Sequence, residues 1–141
     1  MSTITFKFAA KTDVGLVRTN NEDNLCAISN LDVQGSTWIN NDVSQLGSKG
    51  ALLVVADGMG GTNAGEVASA IATNTIKDTF TCENVARLRA DSKSIPAFLT
   101  ACIEKADKAI IQKTYDNPDT LGMGTTNRDL LLNVRKFATP H

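Results

Sequence analysis

Apolar and polar residues alternate along residues 4–8, in the stretch ITFKF. This period of two predicts a half-buried strand. The apolar run at 25–29 predicts a second strand, the return strand of a hairpin with the first. Residues 30–50 are rich in Asn, Asp, Gly and Ser, which predicts a loop with a brief strand at TWIN, 37–40. The apolar run that ends in Asp at 51–57 predicts a central strand buried on both faces.

Two helices are predicted to follow, because apolar residues recur at helical spacing in 64–80 and again in 94–115. Ser94 is the expected N-cap of the second helix, with Pro96 in its first turn. The apolar stripe of the first helix is Val67, Ala68, Ile71, Ala72, Ile76 and Phe80, and that of the second is Ile95, Phe98, Leu99, Cys102, Ile103, Ala106 and Ile110. Strands followed by helices, without βαβ alternation, predict an α+β fold with two antiparallel helices packed on the sheet.

Composition narrows the possible classes of protein. A chain of 141 residues favours one domain. The net charge of −1 offers no electrostatic reason for a nucleic acid or a membrane as partner, and no apolar run reaches transmembrane length. Cys26, Cys82 and Cys102 form no CxxC pair, which predicts buried free thiols in the cytoplasm. The single histidine, His141, makes a histidine-based triad improbable.

Carboxylates and glycines are concentrated in two segments. Asp57 and Gly58 follow the predicted central strand directly, and Arg18, Glu22 and Asp23 lie in an earlier polar loop. Carboxylate and carbonyl oxygens are ligands for Mg²⁺ or Mn²⁺, and an arginine can bind phosphate through two parallel hydrogen bonds. These residue types favour metal-assisted hydrolysis of a phosphoryl group. The residues alone leave the plainer interpretation open, in which both segments are ordinary turns.

A nucleotide cofactor is not expected. The Gly60-Gly61 pair precedes the first predicted helix, as in a phosphate-binding loop. However, the chain has neither the lysine of GxxxxGK[ST] nor the spacing of GxGxxG at this point.

Four motifs occur in order: DVGLVRTNNEDN at 13–24, LLVVADGMGG at 52–61, AGEVAS at 64–69 and LGMGTT at 121–126. Together they resemble the metal-dependent serine/threonine protein phosphatases of the PP2C (PPM) family, and especially the bacterial branch. The resemblance covers about residues 8–126. It implies a partial PP2C-like β-sandwich and hydrolysis of phosphoserine or phosphothreonine in a protein substrate.

The resemblance also implies roles for individual residues. Asp57 matches the aspartate that bridges two Mn²⁺ or Mg²⁺ ions, and Gly58 matches the glycine whose carbonyl oxygen is a further ligand. Glu22 and Asp23 match the acidic pair that supports the second ion directly or through water. Arg18 matches the arginine that binds the substrate phosphate.

Residues outside these five receive lesser roles from the resemblance. Asp13 and Gly15 match the start of the first motif, with a structural role. Met59 stands where some eukaryotic members have a histidine as general acid. The entry to the next core strand is marked by Gly122, Gly124, Thr125 and Thr126.

The match is expected to stop at residue 126, so that 1–126 is the N-terminal part of a phosphatase domain and 127–141 a tail outside the pattern. The family's later SDG and DN aspartate motifs are not found after residue 126, as in a truncated or frameshifted gene. We therefore expect at most one weakly held ion, doubtful activity, and self-association through an exposed sheet edge. A non-catalytic binding module and a small structural α+β domain remain alternatives.

Overall fold

The computed structural model describes residues 4–7, 9–32, 43–59 and 64–132, and the side chains of all of these except Ser44 and residues 127–132. The described strands are β1 (Thr5–Lys7), β2 (Asn24–Ile28), β3 (Val43–Gln45), β4 (Ala51–Met59) and β5 (Gly124–Leu132). The described helices are α1 (Ala64–Thr79), α2 (Cys82–Ala90) and α3 (Ile95–Asp116). The predicted α+β class is confirmed.

The strands form two antiparallel sheets. One pairs β1 with β3, and the other has the order β2-β4-β5. The predicted hairpin between the first two strands is therefore wrong, since β2 pairs with β4. The physical reason lies in burial: β2 brings Cys26 and Ile28 against the main core, whereas Thr5 and Lys7 of β1 are exposed. The short strand predicted at 37–40 lies outside the described residues, and β3 was not predicted.

The central strand β4 has one buried face and one open face. Val54 and Ala56 are 1% and 0% exposed, whereas Val55 and Met59 are each 53% exposed. The prediction that this strand is buried on both faces is wrong, because α1 covers the face of Val54 and Ala56 and no described element covers the other.

The core lies between β4, α1 and α3. Alanines 64, 68 and 72 and Ile76 make the buried side of α1, and these small residues let the helix lie close to the sheet. The α3 helix packs mainly against α1 and buries Cys102, Ala106 and Ile110. Most of both predicted stripes is confirmed. Ile103 is the exception: it is 41% exposed, because it lies at the border of the apolar stripe.

A third helix, α2, was not predicted. The hydroxyl oxygen of Thr81 accepts a hydrogen bond of 3.2 Å from the backbone N–H of Asn84, which caps the first turn. Val85 and Leu88 bury the inner side. At α3 the predicted cap is only half right: Ser94 occupies the N-cap position, but its hydroxyl donates to the carbonyl oxygen of Asp91 at 2.6 Å.

None of the three cysteines, all of which the structure describes, forms a disulfide, and they differ in exposure. Cys102 is buried, Cys26 is half-buried, and Cys82, the first residue of α2, is exposed. Burial raises the pKa of the Cys26 thiol. The prediction of buried thiols is wrong for Cys82, which is exposed at the start of α2. None of the described helices combines the length and the apolar character that crossing a membrane requires.

Candidate functional site

The ends of β2 and β4 bring together the two acidic segments. Asn24 is the register partner of Ala56 in this antiparallel pair. Continuing that register by one residue places Asp23 opposite Asp57, and by two residues places Glu22 opposite Gly58. On the other side of β4, Thr126 is the partner of Asp57, and Thr125 that of Gly58. Three distant chain segments therefore meet at one end of the sheet.

Glu22, Gly58 and Gly65 approach one another too closely for a side chain on either glycine. A Cβ built on Gly58 would collide with the backbone oxygens of Glu22 and Gly65, and one on Gly65 would lie 2.5 Å from Oε2 of Glu22. The Glu22 side chain, 11% exposed, thus rests on the first turn of α1. The positive end of the helix dipole favours a carboxylate there.

Two hydroxyl groups hold the backbone at this end of the sheet. Ser69 of α1 donates a hydrogen bond of 2.6 Å from Oγ to the carbonyl oxygen of Glu22. Thr125 of β5 donates one of 2.8 Å from Oγ1 to the carbonyl oxygen of Asp57. The two carboxylate-bearing segments are therefore fixed by different elements.

Arg18 lies near Glu22. Its Nη1 atom is 3.7 Å from Oε2 of Glu22, and its side chain is 70% exposed. At that separation and exposure the ion pair is weak. The guanidinium group therefore remains open to a second anion at the surface.

Asp57 and Glu22 occupy opposite faces of the sheet. Side chains alternate along β4, so Asp57 shares the open face with Val55 and Met59. Glu22, opposite Gly58, lies on the face that α1 covers. Asp23 belongs to the face of Asp57, because cross-strand neighbours share a face; its backbone N–H donates to Oδ1 of Asn21 at 3.1 Å.

The start of the first motif is a local turn. The backbone N–H of Gly15, at φ 75°, donates to Oδ1 of Asp13 at 3.0 Å, and Lys11 pairs with the same carboxylate at 2.7 Å. The Lys11 ammonium and then the Gly15 N–H lower the pKa of Asp13. The geometry fits the structural role expected of Asp13 and Gly15.

The oxygen atoms at this site are of the type that binds a hard divalent cation, but the described residues offer too few of them for a complete site. Asp57, Asp23 and Glu22 offer carboxylate oxygens and Gly58 a carbonyl oxygen, which suit Mg²⁺ and Mn²⁺. Within the described residues, however, no three acidic, histidine or cysteine side chains come together as a metal-binding group. The described residues therefore offer oxygen donors of a suitable type, but not a complete set of ligands.

Ser69, Gly65 and Thr125 were not predicted as parts of the site. Ser69 and Gly65 lie within AGEVAS, and Thr125 within LGMGTT, so the motifs did contain them. Which of their atoms would meet Glu22 or Asp57 depends on the packing of α1 and β5 on the sheet, which the sequence pattern does not specify.

The chain is similar in sequence to bacterial serine/threonine phosphatases. No protein-family profile matches the chain. The serine/threonine phosphatase Stp of Listeria monocytogenes is 34% identical over 116 residues, which are 82% of this chain and 38% of that protein. The serine/threonine protein phosphatase PstP of Mycobacterium tuberculosis is 32% identical over 141 residues, 99% of this chain and 22% of its own length.

Solved structures show the same similarity. The catalytic domain of PstP, crystallised with two manganese ions, matches with a TM-score of 0.60 and 30% identity, over 94% of this chain and 45% of that one. A bacterial serine phosphatase carrying an R161E mutation matches with a TM-score of 0.65 and 29% identity, over 94% and 48%. The chain thus spans less than half the length of each of these proteins.

Proposed function

This chain is a relative of the bacterial PP2C-type serine/threonine phosphatases and matches part of their length; on that premise we propose that its site serves the metal-dependent hydrolysis of phosphoserine and phosphothreonine in proteins. One observation carries the proposal. The strand register sets Asp57 and Gly58 against Asp23 and Glu22, with Arg18 beside them. Oxygen donors for a cation and a cationic group for a phosphate therefore share one end of the sheet.

The proposed roles follow from charge and placement. Asp57, Gly58 and Asp23 are the proposed direct ligands of Mn²⁺ or Mg²⁺, and Glu22, whose side chain lies on the other face, would support the ion through a water molecule. The Lewis acidity of the bound ion would activate the attacking water. Their negative charge offsets that of the cation. Since the described residues include no group of three metal-binding side chains, we propose that they hold at most one ion, with water completing its shell.

Arg18 is the proposed phosphate-binding group. A guanidinium can donate two parallel N–H bonds to one phosphate, and the 70% exposure of Arg18 leaves it accessible to a phosphorylated residue on another protein. Its Nη1 atom lies 3.7 Å from Oε2 of Glu22, which puts the guanidinium group beside the proposed ligands. The phosphoryl group would then lie between Arg18 and the cation. A cytoplasmic location stays a prediction from the sequence.

The test is metal-dependent release of phosphate from a phosphothreonine peptide. We expect Mn²⁺ to support slow release by the wild-type chain, and we expect Asp57→Asn to abolish it. Asp107→Asn is the matched control, because it removes the same charge from an exposed position on α3. A wild-type rate no higher than that of Asp57→Asn at saturating Mn²⁺ would contradict activity of this chain.

A further inference from the structure

We propose that Ser69 is a positioning residue for Glu22: its hydroxyl fixes the backbone of Glu22 and thereby the place of the carboxylate in the candidate metal site. The proposal rests on the function proposed above. Ser69 touches no substrate, and it would act on the cation only through Glu22. The class of ligand that depends on it is a hard divalent cation, Mn²⁺ or Mg²⁺.

The hydrogen bond of Ser69 leaves its own helix. A serine inside a helix ordinarily bonds the carbonyl oxygen three or four residues earlier, and for Ser69 such a contact exists with Glu66 at 3.1 Å. The contact with the carbonyl oxygen of Glu22 is shorter, at 2.6 Å, and spans 47 residues of sequence. A hydroxyl has one hydrogen to donate, and the shorter distance indicates that it goes to Glu22.

Burial makes this bond consequential. Ser69 is 0% exposed, so water cannot readily take its place. A largely buried carbonyl oxygen that loses its donor destabilises the folded chain unless the backbone moves to find another donor. The backbone and side chain of Glu22 lie against Gly58 and Gly65. A shift of the Glu22 backbone would therefore change the position of its carboxylate. Loss of the Ser69 hydroxyl is therefore expected to displace the Glu22 carboxylate.

Thr73 provides a matched control on the same helix. It is 3% exposed, and its Oγ1 lies 3.0 Å from the carbonyl oxygen of Ser69 and 3.2 Å from that of Ala70. Whichever of the two accepts its hydrogen, the bond stays inside α1. Thr73→Val therefore removes a buried hydroxyl from this helix while leaving the contact with Glu22 in place.

The experiment compares Mn²⁺ binding by calorimetry in the wild-type chain, Ser69→Ala and Thr73→Val. Loss of a group that orients a metal ligand typically lowers metal affinity roughly 10- to 100-fold, and we expect a loss in this range for Ser69→Ala only. Urea unfolding of both variants separates this effect from general destabilisation. Equal Mn²⁺ affinities in the two variants would overturn the proposal and leave the proposed function standing.

If the wild-type chain binds no Mn²⁺, that result counts against the proposed function. The positioning role of Ser69 is then tested by an NMR spectrum of the backbone amides. The N–H of Asp23 belongs to the same peptide group as the Glu22 carbonyl. We expect Ser69→Ala to shift the Asp23 amide resonance and Thr73→Val to leave it in place. An unmoved Asp23 resonance in Ser69→Ala would refute positioning by Ser69, whatever the metal result.

Discussion

The hydroxyl of Thr125 donates a 2.8 Å hydrogen bond to the backbone carbonyl of Asp57, across 68 residues of sequence. This bond joins β5 to β4 beside the register pair of Thr125 with Gly58. Asp57 is exposed on the open face of the sheet. Its position therefore depends on the neighbouring strands.

Thr125→Val is predicted to destabilise the chain modestly. It preserves the shape of the side chain and removes one hydrogen bond, which is worth about 0.5–1.5 kcal/mol. Thr126→Val is the control, since no hydrogen bond of the Thr126 hydroxyl is found within the described part of the chain. Urea unfolding of both variants checks the difference, and equal midpoints would show that the Thr125 bond contributes nothing.

Gly65→Ala is predicted to destabilise the folded chain, although alanine usually stabilises a helix more than glycine does. In an exposed helix the exchange stabilises by about 1 kcal/mol. Here the new Cβ would meet the Glu22 carboxylate and the backbone of Gly58, and such overpacking costs about 1–3 kcal/mol. The midpoint of thermal unfolding shows whether the exchange stabilises or destabilises the chain.

The control for that exchange is Gly124→Ala, whose Cβ would meet only Cε of Met59, at 3.9 Å. This is ordinary van der Waals distance, so we expect little loss of stability from it. A stabilised Gly65→Ala would contradict the close packing of Glu22 on α1.

Asp32 is predicted to make the chain sensitive to acid. Its carboxylate accepts from Oγ of Ser48 at 2.8 Å and from the backbone N–H of Lys49 at 3.3 Å. Burial raises the pKa of Asp32, but these hydrogen bonds outweigh it, so the pKa in the folded chain is lower than the ordinary 3.8. A lowered pKa stabilises the folded state above the unfolded value, and that contribution disappears as the pH falls through the folded value.

The measurement is urea unfolding of the wild-type chain and Asp32→Asn between neutral pH and about pH 2. We expect the wild-type chain to have the higher free energy of unfolding at neutral pH. This difference from Asp32→Asn should shrink below about pH 4. Asp13→Asn is the control, because the Lys11 partner also lowers the pKa of Asp13 but their exposed pair contributes little. An advantage that stays constant down to pH 2 would be inconsistent with the Asp32 contacts.

Val55→Lys is predicted to reduce self-association. Val55 is 53% exposed on the open face of β4, and apolar sheet surfaces of this kind favour contact between copies. Sedimentation velocity over a range of concentrations measures the change. Leu121→Lys, which alters an apolar residue 78% exposed outside the sheets, should have the smaller effect; the reverse order would locate the association elsewhere.

Cys82 is predicted to be the one thiol that reacts quickly with a disulfide reagent in the folded chain. It is exposed, whereas Cys26 is half-buried and Cys102 is buried; burial also raises the pKa of Cys26 and lowers its thiolate fraction. Cys82→Ser should remove the fast phase of a thiol titration. A fast phase that survives in this variant would contradict the burial of the other two.

The family, the fold class and the two long helices were accessible from the sequence because they depend on local patterns. The alternation in β1, the apolar run of β4 and the stripes of α1 and α3 repeat with the period of their element. The short helix α2 was not predicted because it has only two buried apolar residues, Val85 and Leu88. Two residues are too few to form an apolar stripe.

Strand pairing and the buried faces needed the tertiary structure. The sequence does not state that β2 pairs with β4 and not with β1, since pairing depends on which apolar faces pack together over long distances. For the same reason the open face of β4, with Val55 and Met59 exposed, became visible only once α1 was seen to cover one side.

The sequence by itself determined which residues could carry the chemistry: Asp57 at a strand end, Gly58 after it, and Glu22 and Asp23 in a loop with Arg18. These are properties of residue type and order. Only the tertiary structure decided that Glu22 lies under α1 and Asp57 on the opposite face, with Ser69 and Thr125 bonded to their carbonyls. The physical reason is that the strand register and the packing of the helix bring atoms that are distant in sequence within hydrogen-bond distance. No local sequence pattern determines either of them.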